Sequence, residues 1–127
     1  MLQDKKIKTM SDIKENVKKL NEMILSGKGM EAFEKYYHED VVMQENNQAP
    51  TVGKEANHKR ESESMSAVQE FHGAEVKGVA IGDNTSMVEW SFDMTYQGGN
   101  RVKLNQVAVQ RWKDGQIINE RFYYSNN

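Results

Sequence analysis

From Val88 to Tyr96 the chain alternates strictly: Val88, Trp90, Phe92, Met94 and Tyr96 are apolar or aromatic, with Glu89, Ser91, Asp93 and Thr95 between them. A two-residue period predicts a strand with one buried face. Gln97-Gly98-Gly99-Asn100 interrupts the pattern, and a second run extends from Arg101 to Trp112. Asp114-Gly115 interrupts again, a dipeptide suited to a tight hairpin because both central residues can adopt positive φ. A third run covers Gln116 to Tyr124, so the C-terminal third, from Thr85, reads as an antiparallel meander. If Trp90, Phe92 and Met94 face inward, the neighbouring strands offer Gln106, Ala108, Gln110 and Trp112, then Ile118, Glu120, Phe122 and Tyr124. The opposite parity gives an outer face of Met87, Glu89, Ser91, Asp93, Val107, Val109, Arg111, Ile117, Arg121 and Tyr123. The inner face is aromatic but carries Gln106, Gln110 and Glu120, which need partners if buried. That mixture suits a pocket better than a dry core.

Upstream the period changes to that of helices. Asp12 and Glu15 have capping-box spacing. Ile13, Val17, Leu20 and Ile24 recur on one side while Lys14, Glu15, Lys18 and Lys19 fill the other, an amphipathic helix ending at Gly27. A second, shorter helix carries Met30, Phe33, Tyr36 and Tyr37 and should stop near His38-Glu39-Asp40. Val41-Val42-Met43 is a short strand, and Glu45 to Gly53, containing Pro50, is a loop. Lys54 to about Gln69 is rich in helix formers but nearly lacks an apolar stripe; Asn57, His58 and Glu61 share one side of it. Phe71 to Ile81 reads as a strand in which Gly73 and Gly78 mark bulges or bends, and Gly82-Asp83-Asn84 turns into the meander. Three helices followed by a long antiparallel sheet, with helices on one face, define an α+β class.

Composition narrows the partners. With 127 residues the chain forms one domain with a modest core, and a hydrophobic fraction of 37% makes self-association an attractive source of stability. A formal net charge of −2 gives no basic footprint for nucleic acid. Cysteine is absent, which removes disulfides, thiolate chemistry and cysteine metal sites together. No apolar run is long enough for a secretory segment or a membrane span, so a cytoplasmic location is expected. The lysine-rich stretch 1–10 reads as a flexible arm and 11–127 as a single domain.

Several marks, taken in order, carry a resemblance. They are the helix with its glycine joint (Leu20 to Gly29), the run Tyr37-His38-Glu39-Asp40-Val41-Val42-Met43-Gln44-Glu45, Gly53 opening the third helix, and Tyr96-Gln97-Gly98 ending a strand. The most telling is Val107 to Ile117 with Glu120 and Tyr123-Tyr124 beyond. From about Asp12 to Ser125 the chain resembles the SnoaL-like proteins of the nuclear-transport-factor-2-like superfamily, whose cone-shaped α+β roll is shared with ketosteroid isomerase. The resemblance implies three helices packed on a curved antiparallel or mixed sheet. It also puts Glu45 where the isomerase keeps its catalytic carboxylate. The positions of the two oxyanion donors of that enzyme fall at Leu20 and near Ala108, which have no donor to offer, so that steroid isomerisation mechanism is not expected.

The candidate catalytic residues are therefore Glu45 as general base, with Glu120 and His58 as acid–base or orienting groups. Glu45 could equally be a solvated loop carboxylate, Glu120 a structural partner of an arginine or helix N–H, and His58 with Glu61 a solvated helix face. Trp90, Phe92, Met94, Gln106, Gln110, Trp112 and Phe122 are the candidate ligand-binding wall, or core. A His58–Glu120–Glu45 metal site has no contiguous spacing behind it, and neither metal nor cofactor is expected. Two functions remain open: a lyase, isomerase or hydrolase acting on a small hydrophobic carbonyl or cyclic compound, and a non-catalytic ligand-binding or assembly module. Proteins of this superfamily often pair through the outer sheet face, and the apolar residues expected there point to a homodimer.

Overall fold

The computed structural model describes residues 10–125; the proposed N-terminal arm lies almost wholly outside the described residues. Helix α1 (Met10–Leu25) buries Ile13, Val17 and Leu20 in one stripe. It ends in a left-handed Gly27 (φ 81°), with the Lys28 N–H bonded to the Met23 carbonyl and the Gly27 N–H to that of Ile24. Those two bonds are the paired closure that favours glycine at this position. Helix α2 (Gly29–Tyr36) leads directly into β1 (Tyr37–Glu45), and β2 (Thr51–Val52) and α3 (Lys54–Ser66) follow. The chain then runs through β3 (Val68–Gly82), β4 (Thr85–Tyr96), β5 (Arg101–Lys113) and β6 (Gln116–Tyr124).

The six strands form one sheet in the order β2-β1-β6-β5-β4-β3. Every neighbouring pair is antiparallel except β1 and β6, which run parallel, so the sheet is mixed. Register shifts bend it: three along β3, two of them ending at Gly73 and Gly78, one between β5 and β6 at Arg111/Trp112, and one between β1 and β6 at Tyr37/Val42. Bulges add twist and curl a long strand, here around the helices. Asp114 (φ 51°) and Gly115 (φ 83°) close the expected hairpin with positive φ at both positions.

Four expectations need correction. Tyr37 is the first residue of β1, with an extended backbone (φ −107°, ψ 134°), rather than part of the second helix. Phe33, Tyr36 and Tyr37 fit a helical face, but the turn opens one residue earlier and sends Tyr36 and Tyr37 to different partners. The third helix ends at Ser66, not near Gln69, because β3 begins at Val68. Glu45 is the last residue of the nine-residue strand β1 rather than the start of a loop, and the loop that follows contains the short strand β2. Finally, Ile117 is fully buried and pairs with Trp112, and Ile118 takes the extra position of the bulge. The bulge flips the parity of β6 between Ile117 and Glu120, which a strict alternation cannot anticipate.

The core joins Ile13, Val17 and Leu20 of α1 and Phe33 and Tyr36 of α2 to Val41, Met43, Val88, Trp90, Trp112 and Ile117 of the sheet. Helix α3 has almost no apolar face and is attached differently. Asn57, fully buried, directs its side-chain amide at the carbonyls of Thr51 (3.0 Å), Gly53 (2.8 Å) and Val41 (3.3 Å). Polar anchoring replaces the missing stripe and holds the next turn of α3, with Arg60 and Glu61, against the sheet.

Candidate functional site

Pairing across the sheet sorts the inner face into rows. Met43, Glu120, Gln110 and Ser86 form one; Glu45, Phe122, Ala108 and Val88 form the next; Tyr124, Gln106 and Trp90 form a third. Residues opposite one another in a sheet project to the same side, so Glu45 and Glu120 stand on one face in adjacent rows. Trp90, Phe92, Gln106, Gln110, Phe122 and Glu120 share that face, and Met94 and Trp112 lie on the same parity of their strands. Phe92, Met94, Gln106 and Phe122 are half-buried, whereas Trp90, Gln110, Trp112 and Glu120 are buried. Trp90 stacks on Phe92 with ring centroids 5.1 Å apart.

Glu120, only 2% exposed, is the centre of a polar chain. The Tyr37 hydroxyl donates to its Oε1 (2.5 Å), and the Gln110 amide donates to its Oε2 (2.8 Å). Behind Gln110, the Ser86 hydroxyl donates to Gln110 Oε1 (2.6 Å), and the Trp112 indole N–H donates to Ser86 Oγ (2.8 Å). Loss of hydration pushes the Glu120 carboxyl up to about 7. The bonds from Tyr37 and Gln110 oppose that rise, and Glu61 adds to it while Arg60 pulls against it. Burial and the adjoining Glu120 likewise push the Tyr37 phenol well above its ordinary value, which keeps it a donor.

Glu45 lies in a different environment. Arg60 bridges Glu45 and Glu61, and Tyr124 donates to the other Glu45 oxygen. The Arg60–Glu61 bond is 2.9 Å, and each of the two carboxylate side chains retains 31% of its exposure. Burial and the Glu45 charge raise Glu61, and the guanidinium offsets part of that rise. Desolvation, and after it the hydrogen bond and charge of Glu45, push the Tyr124 hydroxyl up to about 12, with Arg60 opposing the rise. Arg60 Nε is buried with no hydrogen-bond partner among the described residues.

His58 does not join either carboxylate. It stands 3.7 Å from Glu34 of α2 and borders a shallow open depression of about 480 Å³ with Glu34, Glu39, Lys54 and Glu55. Among the described residues no group of three or more His, Asp or Glu side chains could hold a metal ion. The sequence reading missed Tyr37, Ser86, Arg60 and Tyr124 as members of the site. Ser86, a polar residue at the parity of Val88 and Trp90, and Tyr124, at the parity of Glu120 and Phe122, carried a usable signal. The others depend on the parallel pairing of β1 with β6 and on the rotation of α3.

A curved mixed sheet closed by three helices, with carboxylates and aromatic side chains on its concave face, defines the nuclear-transport-factor-2-like, ketosteroid isomerase-like class of α+β rolls. The sequence matches the model of the SnoaL-like domain across residues 10–124, and the chain belongs to that family. A Mesorhizobium loti protein described as a SnoaL-like polyketide cyclase [carbohydrate phosphatase] is 31% identical, with a TM-score of 0.78 over 88% of this chain and 98% of that one. More distant structures share the fold. AclR of Streptomyces galilaeus, described as a hydroxylase, is 16% identical (TM-score 0.76; 92% of this chain, 91% of that one). A Bacillus subtilis protein described as an isomerase is 18% identical (TM-score 0.74; 91% and 87%). No curated protein matches the sequence. Among the described residues no helix is long and apolar enough to cross a membrane.

Proposed function

We propose that the protein is an enzyme that moves a proton on a small hydrophobic carbonyl-bearing or cyclic compound, in the manner of a lyase, isomerase or hydrolase. The observation that carries this reading is Glu120, a buried carboxyl titrating near 7 on the same face as half-buried aromatic side chains. A general acid–base group works best with its pKa near the operating pH. Glu120 therefore takes the role of proton acceptor in preference to Glu45, which is committed to Arg60 and Tyr124. The unpartnered Arg60 Nε–H supplies a donor for a carbonyl oxygen, in place of the donors absent at Leu20 and Ala108. Glu45 orients that guanidinium, and Phe92, Met94, Gln106 and Phe122 face the ligand.

The test is solvent-deuterium exchange at acidic C–H positions, followed by NMR across a panel of cyclic ketones and 1,3-dicarbonyl compounds. Exchange above background is expected for a subset, with Glu120→Gln reducing it by about 100-fold or more. An unchanged rate in Glu120→Gln removes Glu120 from the mechanism. One observation favours the second reading, a binding or assembly module. Both Glu120 oxygens already hold partners inside the protein. Saturable binding of panel compounds without any exchange would select it.

We also propose a homodimer through the outer sheet face. Met87 (43% exposed) and Tyr123 (44% exposed) stand there with Val107 and Val109. Glu89 lies beside them, and the Arg121 guanidinium covers the Tyr123 ring at 4.9 Å. An apolar centre with both signs of charge around it suits a two-fold contact. Light scattering should give a dimer for the wild type and a monomer for Val109→Glu; a monomeric wild type at micromolar concentration contradicts the assignment.

A further inference from the structure

The chain from Trp112 to Glu120 has a direction that its chemistry does not allow it to reverse. An indole N–H can only donate, so Ser86 Oγ is an acceptor towards Trp112 and its hydroxyl hydrogen is free for Gln110. The amide oxygen of Gln110 can only accept, which turns its NH2 group towards Glu120 Oε2. Turning the Gln110 amide over would present its oxygen to Glu120, but it would also bring two donors onto Ser86 Oγ and leave the serine hydrogen without an acceptor. All four side chains are buried, so water cannot repair such a mismatch.

We infer that Trp112, Ser86 and Gln110 act as one directed donor chain that reserves Glu120 Oε2 as an acceptor and confines the exchangeable proton of Glu120 to Oε1, making Tyr37 its proton-exchange partner. The Tyr37 hydroxyl, 2.5 Å from Oε1, donates to the carboxylate. Accepting from the neutral acid gives up that one bond by a turn about the C–O axis, whereas turning Gln110 disturbs its bonds to both Ser86 and Glu120. The ring of Tyr37 is held in place by stacking on Phe33, with centroids 4.8 Å apart. The titratable and charged groups acting on Glu120 are Tyr37 of β1 and Arg60 and Glu61 of α3, while β4 and β5 contribute the uncharged donors. The functional weight of this device rests on the reading of Glu120 as the working carboxyl. Trp112, Ser86 and Gln110 are positioning residues, because they act only through Glu120.

The experiment is a ¹³C NMR titration of the full-length protein labelled at glutamate side-chain carbonyls, with Glu120 assigned by its disappearance in Glu120→Gln. It needs no substrate, so it stands apart from the exchange assay: failure to find a carbon acid leaves its outcome unaffected. Ser86→Ala permits the amide to turn and stabilise the neutral acid, so the Glu120 midpoint should rise by about one pH unit, the size of one charge-assisted hydrogen bond. Trp112→Phe relieves only the second donor on Ser86 Oγ and should raise it by less. Tyr37→Phe should raise it as well, since the hydroxyl favours the ionised form. Ser86→Thr keeps the hydroxyl and should restore the wild-type midpoint. Near-ultraviolet circular dichroism identifies any variant that has lost its packing, and Ser86→Ala, which only removes atoms, remains as the folded probe. A midpoint in Ser86→Ala and Trp112→Phe equal to that of the wild type overturns the directed chain. An unchanged midpoint in Tyr37→Phe overturns the assignment of Tyr37.

Discussion

Glu120 and Glu45 are the same residue on the same face of one sheet, one row apart, and the protein treats them in opposite ways. Glu45 is given a guanidinium, a phenol and partial contact with water. Glu120 is given two neutral donors, no directly bound cation and almost no water. Neutral hydrogen bonds compensate only part of the lost hydration of a carboxylate, so its proton is held more tightly. A charged partner does more of that work, at the expense of tying the carboxylate to a fixed place. One face thus holds a carboxyl that burial pushes up to about 7 beside one tied to a guanidinium, and the difference is made by what β1 and α3 bring to each.

Removing the cation sharpens the contrast. Arg60→Met should leave Glu45 and Glu61 facing each other without a counter-charge. The expected cost is about 2 kcal/mol in denaturant unfolding, below the range for fully buried pairs because all three side chains keep some exposure. A smaller effect concerns salt. Partly exposed charges are screened while buried neutral hydrogen bonds are not, so raising ionic strength should weaken the wild type by a few tenths of a kcal/mol and strengthen the Arg60→Met variant slightly, by screening the Glu45–Glu61 repulsion. A variant as stable as the wild type would show that the Arg60 cluster contributes little and that the two ends of the face are alike.

Much of this architecture was legible from the residues. The alternation in β4, the Asp114-Gly115 hairpin and the glycines of β3 predicted the curved meander, and the parity of Glu120 with Trp90 placed a carboxyl on the inner face. The family resemblance, drawn from Tyr37 to Glu45, Val107 to Ile117 and the other marks along the chain, is shown by the match across residues 10–124. The partners of Glu120 were hidden because Tyr37 lies 83 residues away in sequence and reaches it only through the parallel β1–β6 pairing. The role of Tyr37 was further masked by a spacing that suits a helix as well as a strand. His58 and Glu61 share a helical side by spacing, yet α3 is rotated by the Asn57 anchor so that Glu61 turns towards Arg60 while His58 meets Glu34. Ile117 and Ile118 exchanged places at a bulge that no periodicity encodes. Local patterns carried the strands, and long-range pairing decided the site.

The claim at the centre is that burial, uncompensated by a bound cation, holds Glu120 near neutrality, and its most direct test is the pH dependence of stability in wild type against Glu120→Gln. Between the ordinary value of 4.5 and about 7 the folded protein keeps a proton on Glu120 that the unfolded chain has released. Stability from this group is therefore complete below the lower value and declines as pH rises through the upper one, by about 3 kcal/mol in total. Glutamine cannot titrate, so the difference in unfolding free energy, wild type minus Glu120→Gln, should fall by that amount across the window and level off above it. A difference that stays flat through the window, or rises with pH, would contradict the account.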